Sequence, residues 1–318
     1  MPLDDGVTRA SRTHPPLDAL VKQGLFYADD HRLRAPWRIA LFILVAIATY
    51  LFATLLVTPL ISPAATIDTR TLLSSYLTVF SVLVAHVVAL HWFEPNASWT
   101  FVGLAHTQAT PRTLATGLVL GALAIGIPSA ILILTHDLHV DPSPPGSWWT
   151  ATSQTTLFLL PAALAEELFL RGYIFAVLRE SIGWKRTLIG TSIIFGLLHL
   201  QNPSATAEST LLVIIAGFFL GGILLATNSL YATWMAHFAW NWTMAAAFHT
   251  AVSGLGLAAP NYHTTSTGPP WLTGGPWGPE GGLAAGISMF TFILILYATS
   301  IKQKDERIVS GRKGVAEP

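Results

Sequence analysis

The chain has no cysteine, which removes thiol nucleophiles, disulfides and Cys-ligated metal sites in one step. It is also poor in charge. Asp, Glu, Lys and Arg make up 11% of its 318 residues, against about 25% in an average soluble protein. The charges cancel to a formal net of zero, so there is no basic surplus of the kind that binds nucleic acid. Apolar residues fill the space instead, at 52% of the chain with 11 Trp, and the mean hydropathy is +0.54. These are the proportions of a polytopic membrane protein. About 36 mostly polar residues precede the first apolar run, without the short apolar core of a cleavable signal peptide.

Apolar runs of roughly 17 to 25 residues can cross a bilayer as helices. Eight are read near 39–61, 71–93, 113–135, 153–178, 187–200, 210–227, 230–251 and 282–301. The fold class predicted is therefore all-α, a polytopic transmembrane helix bundle of about eight spans. It has a cytoplasmic N-terminal tail (1–36), a transmembrane bundle (37–301) and a basic cytoplasmic tail (302–318). Basic residues gather on the cytoplasmic side of membrane proteins. With both termini inside, Arg9, Arg12, Lys22, Arg32, Arg34, Arg38, Arg112, Arg179, Lys185, Arg186, Lys302, Lys304, Arg307, Arg312 and Lys313 all fall there. That is 15 of the 17 basic residues. Arg70 lies outside and Arg171 within span 4. The small-residue pairs Gly117/Gly121, Gly217/Gly221 and Gly282/Gly286 allow close helix approach, and packing within the bundle is favoured over dimerisation. The stretch from 252 to 281, rich in Gly, Pro, Thr and Trp, is expected to be an external loop lying at the interface.

Polar residues break into three of these apolar runs. Span 4 carries Glu166, Glu167 and Arg171, span 5 carries Phe195 and His199, and span 7 carries His237 and Asn241. Charge at membrane depth is costly and marks function. Glu167 and Arg171 are an i, i+4 pair, read as a structural ion pair. Glu166 points about 100° away from them. It has no local partner, so desolvation suits it to general base chemistry. His199 and His237 reach a comparable depth. Asn241, one turn beyond His237, can donate to an oxyanion. Phe195, one turn before His199, packs against or walls the pocket. The other membrane histidines, His86, His91, His136 and His139, are read as interfacial.

The ordered set E-E-x-x-x-R, F-x-x-x-H and H-x-x-x-N resembles the CPBP family of CAAX-processing and bacteriocin-processing enzymes, also called the Abi family. Glu166, Glu167, Arg171, Phe195, His199, His237 and Asn241 occupy all its positions, and Thr227 to His237 is similar to the family's approach to its third motif. The resemblance covers about 153–247 as the catalytic core. It implies an eight-helix bundle with a cavity inside the membrane and an endopeptidase acting on membrane-associated or lipidated peptides. The expected catalytic set is Glu166, His199, His237 and Asn241, without a cofactor. A zinc version, with Glu166, His199 and His237 as ligands, stays open because two imidazoles and a carboxylate form a catalytic zinc pattern. A non-proteolytic proton-coupled membrane protein is the reading from another class. H-E-x-x-H, G-x-S-x-G and G-x-G-D signatures of other intramembrane proteases do not occur. The expected partners are membrane lipids and a peptide or protein substrate, and the expected location is a bacterial plasma membrane.

Overall fold

The computed structural model describes residues 32–61 and 67–301. The expected C-terminal tail and most of the expected N-terminal tail lie outside the described residues, with Arg9, Arg12, Lys22, Lys302, Lys304, Arg307, Arg312 and Lys313. The order is α1 (Ala35–Val57), α2 (Ile67–Trp92), α3 (Pro111–Leu134), β1 (Leu138–Pro142), α4 (Trp148–Glu167), a π-helical segment (Leu168–Tyr173), α5 (Ile174–Ile182), α6 (Trp184–Leu198), α7 (Ala207–Thr227), α8 (Leu230–Trp242), β2 (Tyr262–Ser266) and α9 (Leu283–Leu296). A second π-helical segment, Thr243–Phe248, continues α8.

Helix starts follow local chemistry. Thr110, Ser147, Thr206 and Ser229 each accept a hydrogen bond from the backbone N–H three residues on. This satisfies one of the donors that a helix N-terminus leaves free. Asn228, left-handed at φ 53°, ends α7 and lets the chain turn directly into α8.

Among the described residues, five helical stretches are long and apolar enough to cross a membrane: Ala35–Leu60, Thr69–Trp92, Pro111–Leu134, Ala207–Thr227 and Leu283–Ser300. The other three spans read from the sequence are broken or short. Span 4 is interrupted by the π segment and by non-helical Gly172. α6 has 15 residues and α8 has 13, about 20 Å each against about 30 Å of hydrocarbon. These three carry the polar motifs. Their side chains still present an apolar outer face: Ile189, Ile193, Ile194, Leu197 and Leu198 on α6 are all exposed.

The fold is not purely helical. β1 and β2 pair antiparallel, Leu138 opposite Ser266. The 252–281 stretch also differs from expectation. It does not lie wholly at the surface but turns back into the bundle, burying Thr273, Trp277 and Glu280. His86 is likewise not interfacial. It is fully buried on α2. The glycine pairs serve internal contacts: Gly117 and Gly121 lie against Ala232 and Ala236 of α8, Gly217 and Gly221 against Ser192 and Leu188 of α6, and Gly286 against Leu212 of α7. Two apolar clusters result, one built mainly from α3, α7, α8 and α9, the other from α1, α2 and α5. The polar motifs lie where they meet, beside Phe169, which borders both.

Candidate active site

Span 4 supplies the acids. At the end of α4, Glu167 is fully buried, and its Oε1 accepts from two cations or donors at once. Arg171 Nη1 donates at 2.6 Å, and His237 Nδ1 lies at 2.9 Å from the same oxygen. Arg171 also reaches the Gly217 carbonyl at 3.4 Å, and its guanidinium sits 4.5 Å from the Phe195 ring centre. The sequence pairs Glu167 with Arg171, but the third member, His237, comes from 70 residues away. Glu167 is thereby more than a neutralising partner for Arg171, because it orients a histidine of the site.

Glu166 is not the fully desolvated group that the sequence reading expects, since its side chain is 42% exposed. The exposure is uneven. Its Oε2 is buried and has no hydrogen-bond partner among the described residues. That oxygen faces His199 Nε2 at 3.9 Å and His237 Nε2 at 4.0 Å.

The two imidazoles are oriented by what holds their other nitrogens. His199 sits at the C-cap of α6, and its Nδ1 is 2.7 Å from the Phe195 carbonyl. A carbonyl only accepts, so Nδ1 carries hydrogen there, and the bond satisfies an acceptor that the helix end leaves free. In the neutral ring Nε2 then presents a lone pair. His237 has the same arrangement with the Glu167 carboxylate. Phe195 fixes the two rings relative to each other, with centroids 4.7 Å from His199 and 5.9 Å from His237. Three basic atoms, Glu166 Oε2 and both Nε2, thus converge without touching. A hydrogen-bonded water about 2.8 Å from each would subtend roughly 90° between partners, an attainable geometry.

A small cavity of about 20 Å³ adjoins the pair of rings, lined in part by His199, His237, Asn241, Ser253 and Glu280. That is room for one water. Asn241 is half-buried at this wall. Glu280, missed by the sequence reading, is 7% exposed and receives Trp240 Nε1 at 2.7 Å, Ser253 N–H at 2.6 Å and Ser253 Oγ at 2.7 Å. The available signal was that Glu280 is the sole acid in the 252–281 stretch.

The zinc reading passes one test of fit and fails another. The donor chemistry matches, with two imidazole nitrogens facing a carboxylate, each with a lone pair when its ring is neutral. The spacing does not, because tetrahedral zinc ligands at about 2.0–2.1 Å stand roughly 3.3 Å apart. The pairs here are at 3.9 and 4.0 Å. Among the described residues no group of three His, Asp or Glu is close enough to hold a metal ion as it stands.

No curated protein and no solved structure matches the chain. A family model does, over residues 148–243: Rce1-like, type II CAAX prenyl endopeptidase Rce1-like. The matched segment starts at the first residue of α4 and ends one residue past α8. It encloses Glu166, Glu167, Arg171, Phe195, His199, His237 and Asn241, and leaves out Glu280. With five apolar helices among the described residues, the chain is an integral membrane protein whose residues 148–243 match the model of the Rce1-like type II CAAX prenyl endopeptidase family.

Proposed function

We propose that the chain is an intramembrane endopeptidase that hydrolyses a peptide bond in a membrane-associated, lipidated peptide through a water activated by Glu166. The observation that carries this reading is the buried, unpartnered Oε2 of Glu166 facing two oriented imidazoles at 3.9 and 4.0 Å. Water held between Glu166 and His199 gives a proton to Glu166 and attacks the scissile carbonyl. His237 in its doubly protonated form, braced by Glu167, and the Asn241 amide donate to the tetrahedral oxyanion. The C–N bond then breaks, and Glu166 returns the proton to the leaving amine. The exposed side of Glu166 gives a tethered substrate lateral access. The family match supports a prenylated C-terminal peptide as the substrate class.

The proposed arrangement in the membrane has eight spans with both termini cytoplasmic. The apolar outer face of α6 supports its place among them, and the distribution of basic residues supports the orientation. The proposed location is a bacterial plasma membrane.

The test uses the purified full chain with a prenylated fluorogenic peptide. Glu166→Gln is expected to lose about 10² to 10⁴ in rate while remaining folded. Asn241→Ala is expected to lower kcat with KM nearly unchanged, by the equivalent of about 2.7–4 kcal/mol for one oxyanion donor. Near-normal turnover by Glu166→Gln would remove it from the chemistry. A second reading, zinc held by Glu166, His199 and His237, is favoured by the two Nε2 atoms that the Nδ1 bonds of His199 and His237 direct inward, each with a lone pair when its ring is neutral. Zinc would supply a Lewis acid and lower the pKa of a bound water. Stoichiometric zinc in the wild type that His237→Ala removes and Asn241→Ala spares would establish that reading in place of the first.

A further inference from the structure

A second cavity, of about 260 Å³, is lined by none of Glu166, His199, His237 and Asn241. It lies at the end of the bundle where α5 and α7 finish and where the α2–α3 connection crosses. Its lining includes Arg171 and Arg179, with Thr100, Gln108 and Asn228, and no acidic residue among the described residues.

The two arginines differ in how far they are satisfied. Arg171 is neutralised by Glu167, yet its buried Nε–H has no partner among the described residues. Arg179 is half-buried, and burial draws it below arginine's ordinary range, with no carboxylate paired to it among the described residues. The adjacent acid, Glu180, is held by Arg32 and Arg38. A partly desolvated guanidinium without a counter-ion is costly, and an anion in the cavity would offset that cost. Other donors are at hand. The Thr100 hydroxyl accepts from Ser98, which leaves its own proton free to donate.

One feature narrows the anion. In the proposed arrangement the cavity lies at the polar end of the bundle, where lipid phosphates stand, and the guanidinium fork matches phosphate oxygens. We propose that this cavity is a phosphoryl-anion site at the membrane surface, in which Arg179 and Arg171 hold either the phosphate of an anionic lipid headgroup or free phosphate. The site is independent of the peptidase reading, and its test needs no turnover.

The experiment is thermal unfolding of the full chain in a neutral, phosphate-free detergent, titrated separately with inorganic phosphate and with dihexanoyl phosphatidylglycerol. Stabilisation by phosphatidylglycerol alone assigns the headgroup, and stabilisation by both assigns the free anion. In either case Arg179→Gln is expected to weaken apparent affinity at least tenfold. Arg179→Lys, which keeps the charge but loses the fork, is expected to fall between. Arg186→Gln, which removes an equal exposed charge at the same end, is expected to leave affinity unchanged. No stabilisation of the wild type by either ligand overturns the proposal. So does equal stabilisation of the Arg179→Gln protein, or an equal loss in the Arg186→Gln protein.

Discussion

Glu167 Oε1 takes both Arg171 and His237, so one buried oxygen links charge balance to the orientation of the site. The two functions are separable by substitution. Arg171→Ala leaves a fully buried carboxylate with one partner, at about 3–5 kcal/mol, and is expected to lower melting temperature, yield and turnover together. Glu167→Gln combined with Arg171→Ala removes the stranded charge and is expected to recover part of the stability. It is not expected to recover activity, because His237 has then lost the carboxylate that braces Nδ1. Thermal melting and turnover measured on both variants decide the matter. Parallel recovery of the two would reduce Glu167 to a plain ion-pair partner. The i, i+4 pair itself was legible in the sequence, because helical spacing alone makes neighbours of Glu167 and Arg171. The His237 contact was not, since no local rule joins residues 70 apart. Glu166 shows a similar limit. Its position was readable, but its uneven exposure depends on which neighbours the broken helix leaves around it.

At the level of elements, the site is built on interruptions. Between α4 and α5 the chain takes a π-helical turn, and Gly172 leaves helical geometry at φ −79°, ψ −115°. A break of this kind frees backbone groups that a membrane interior cannot hydrate. His86 compensates for one of them. Its Nε2 accepts from the Tyr173 N–H at 3.2 Å, while its Nδ1 donates to the Val82 carbonyl at 2.8 Å. Gly172 has no side chain because a Cβ there would meet the His86 ring. His86→Leu is therefore expected to orphan a buried N–H, at about 1–3 kcal/mol. It is also expected to reduce turnover, because the same turn places Glu167 and Arg171. A variant with unchanged melting temperature would show that the bond does not support the break. The five long spans were legible as apolar runs, and so was the presence of the other three segments. Their breaks were not, because a π turn has no composition of its own and the partner of His86 is backbone. The short β1–β2 ribbon was missed for a similar reason. Its pairing joins segments more than a hundred residues apart and follows no strong alternation.

Across the whole molecule the two ends of the bundle are secured differently. At one end the 252–281 stretch folds in, and Glu280 ties it to α8 through Trp240. At the other end, charged residues expected only to mark the cytoplasmic face form a network. Arg38, 5% exposed, donates to Glu94 at 2.6 Å and to Glu180 at 3.2 Å. Arg32 reaches Glu180 at 3.0 Å, and the Tyr173 hydroxyl donates to Glu94 at 3.0 Å. The starts of α1 and the ends of α2 and α5 are joined by this cluster, and Tyr173 connects it to the interrupted helix of the site. Burial alone would push the Glu180 carboxyl up, but hydrogen bonds and charge from Arg32 and Arg38 outweigh it and hold Glu180 below the usual carboxylate range. A carboxylate depressed in the folded state stabilises that state above its unfolded pKa, about 4.3, and loses the contribution as pH falls through the lower folded value. The melting temperature of wild type should therefore exceed that of Glu180→Gln by a constant margin above about pH 5. The margin should shrink steadily as the pH drops below about 4. A margin that stays constant down to pH 3 would show that Glu180 stabilises this end by packing rather than by its charge.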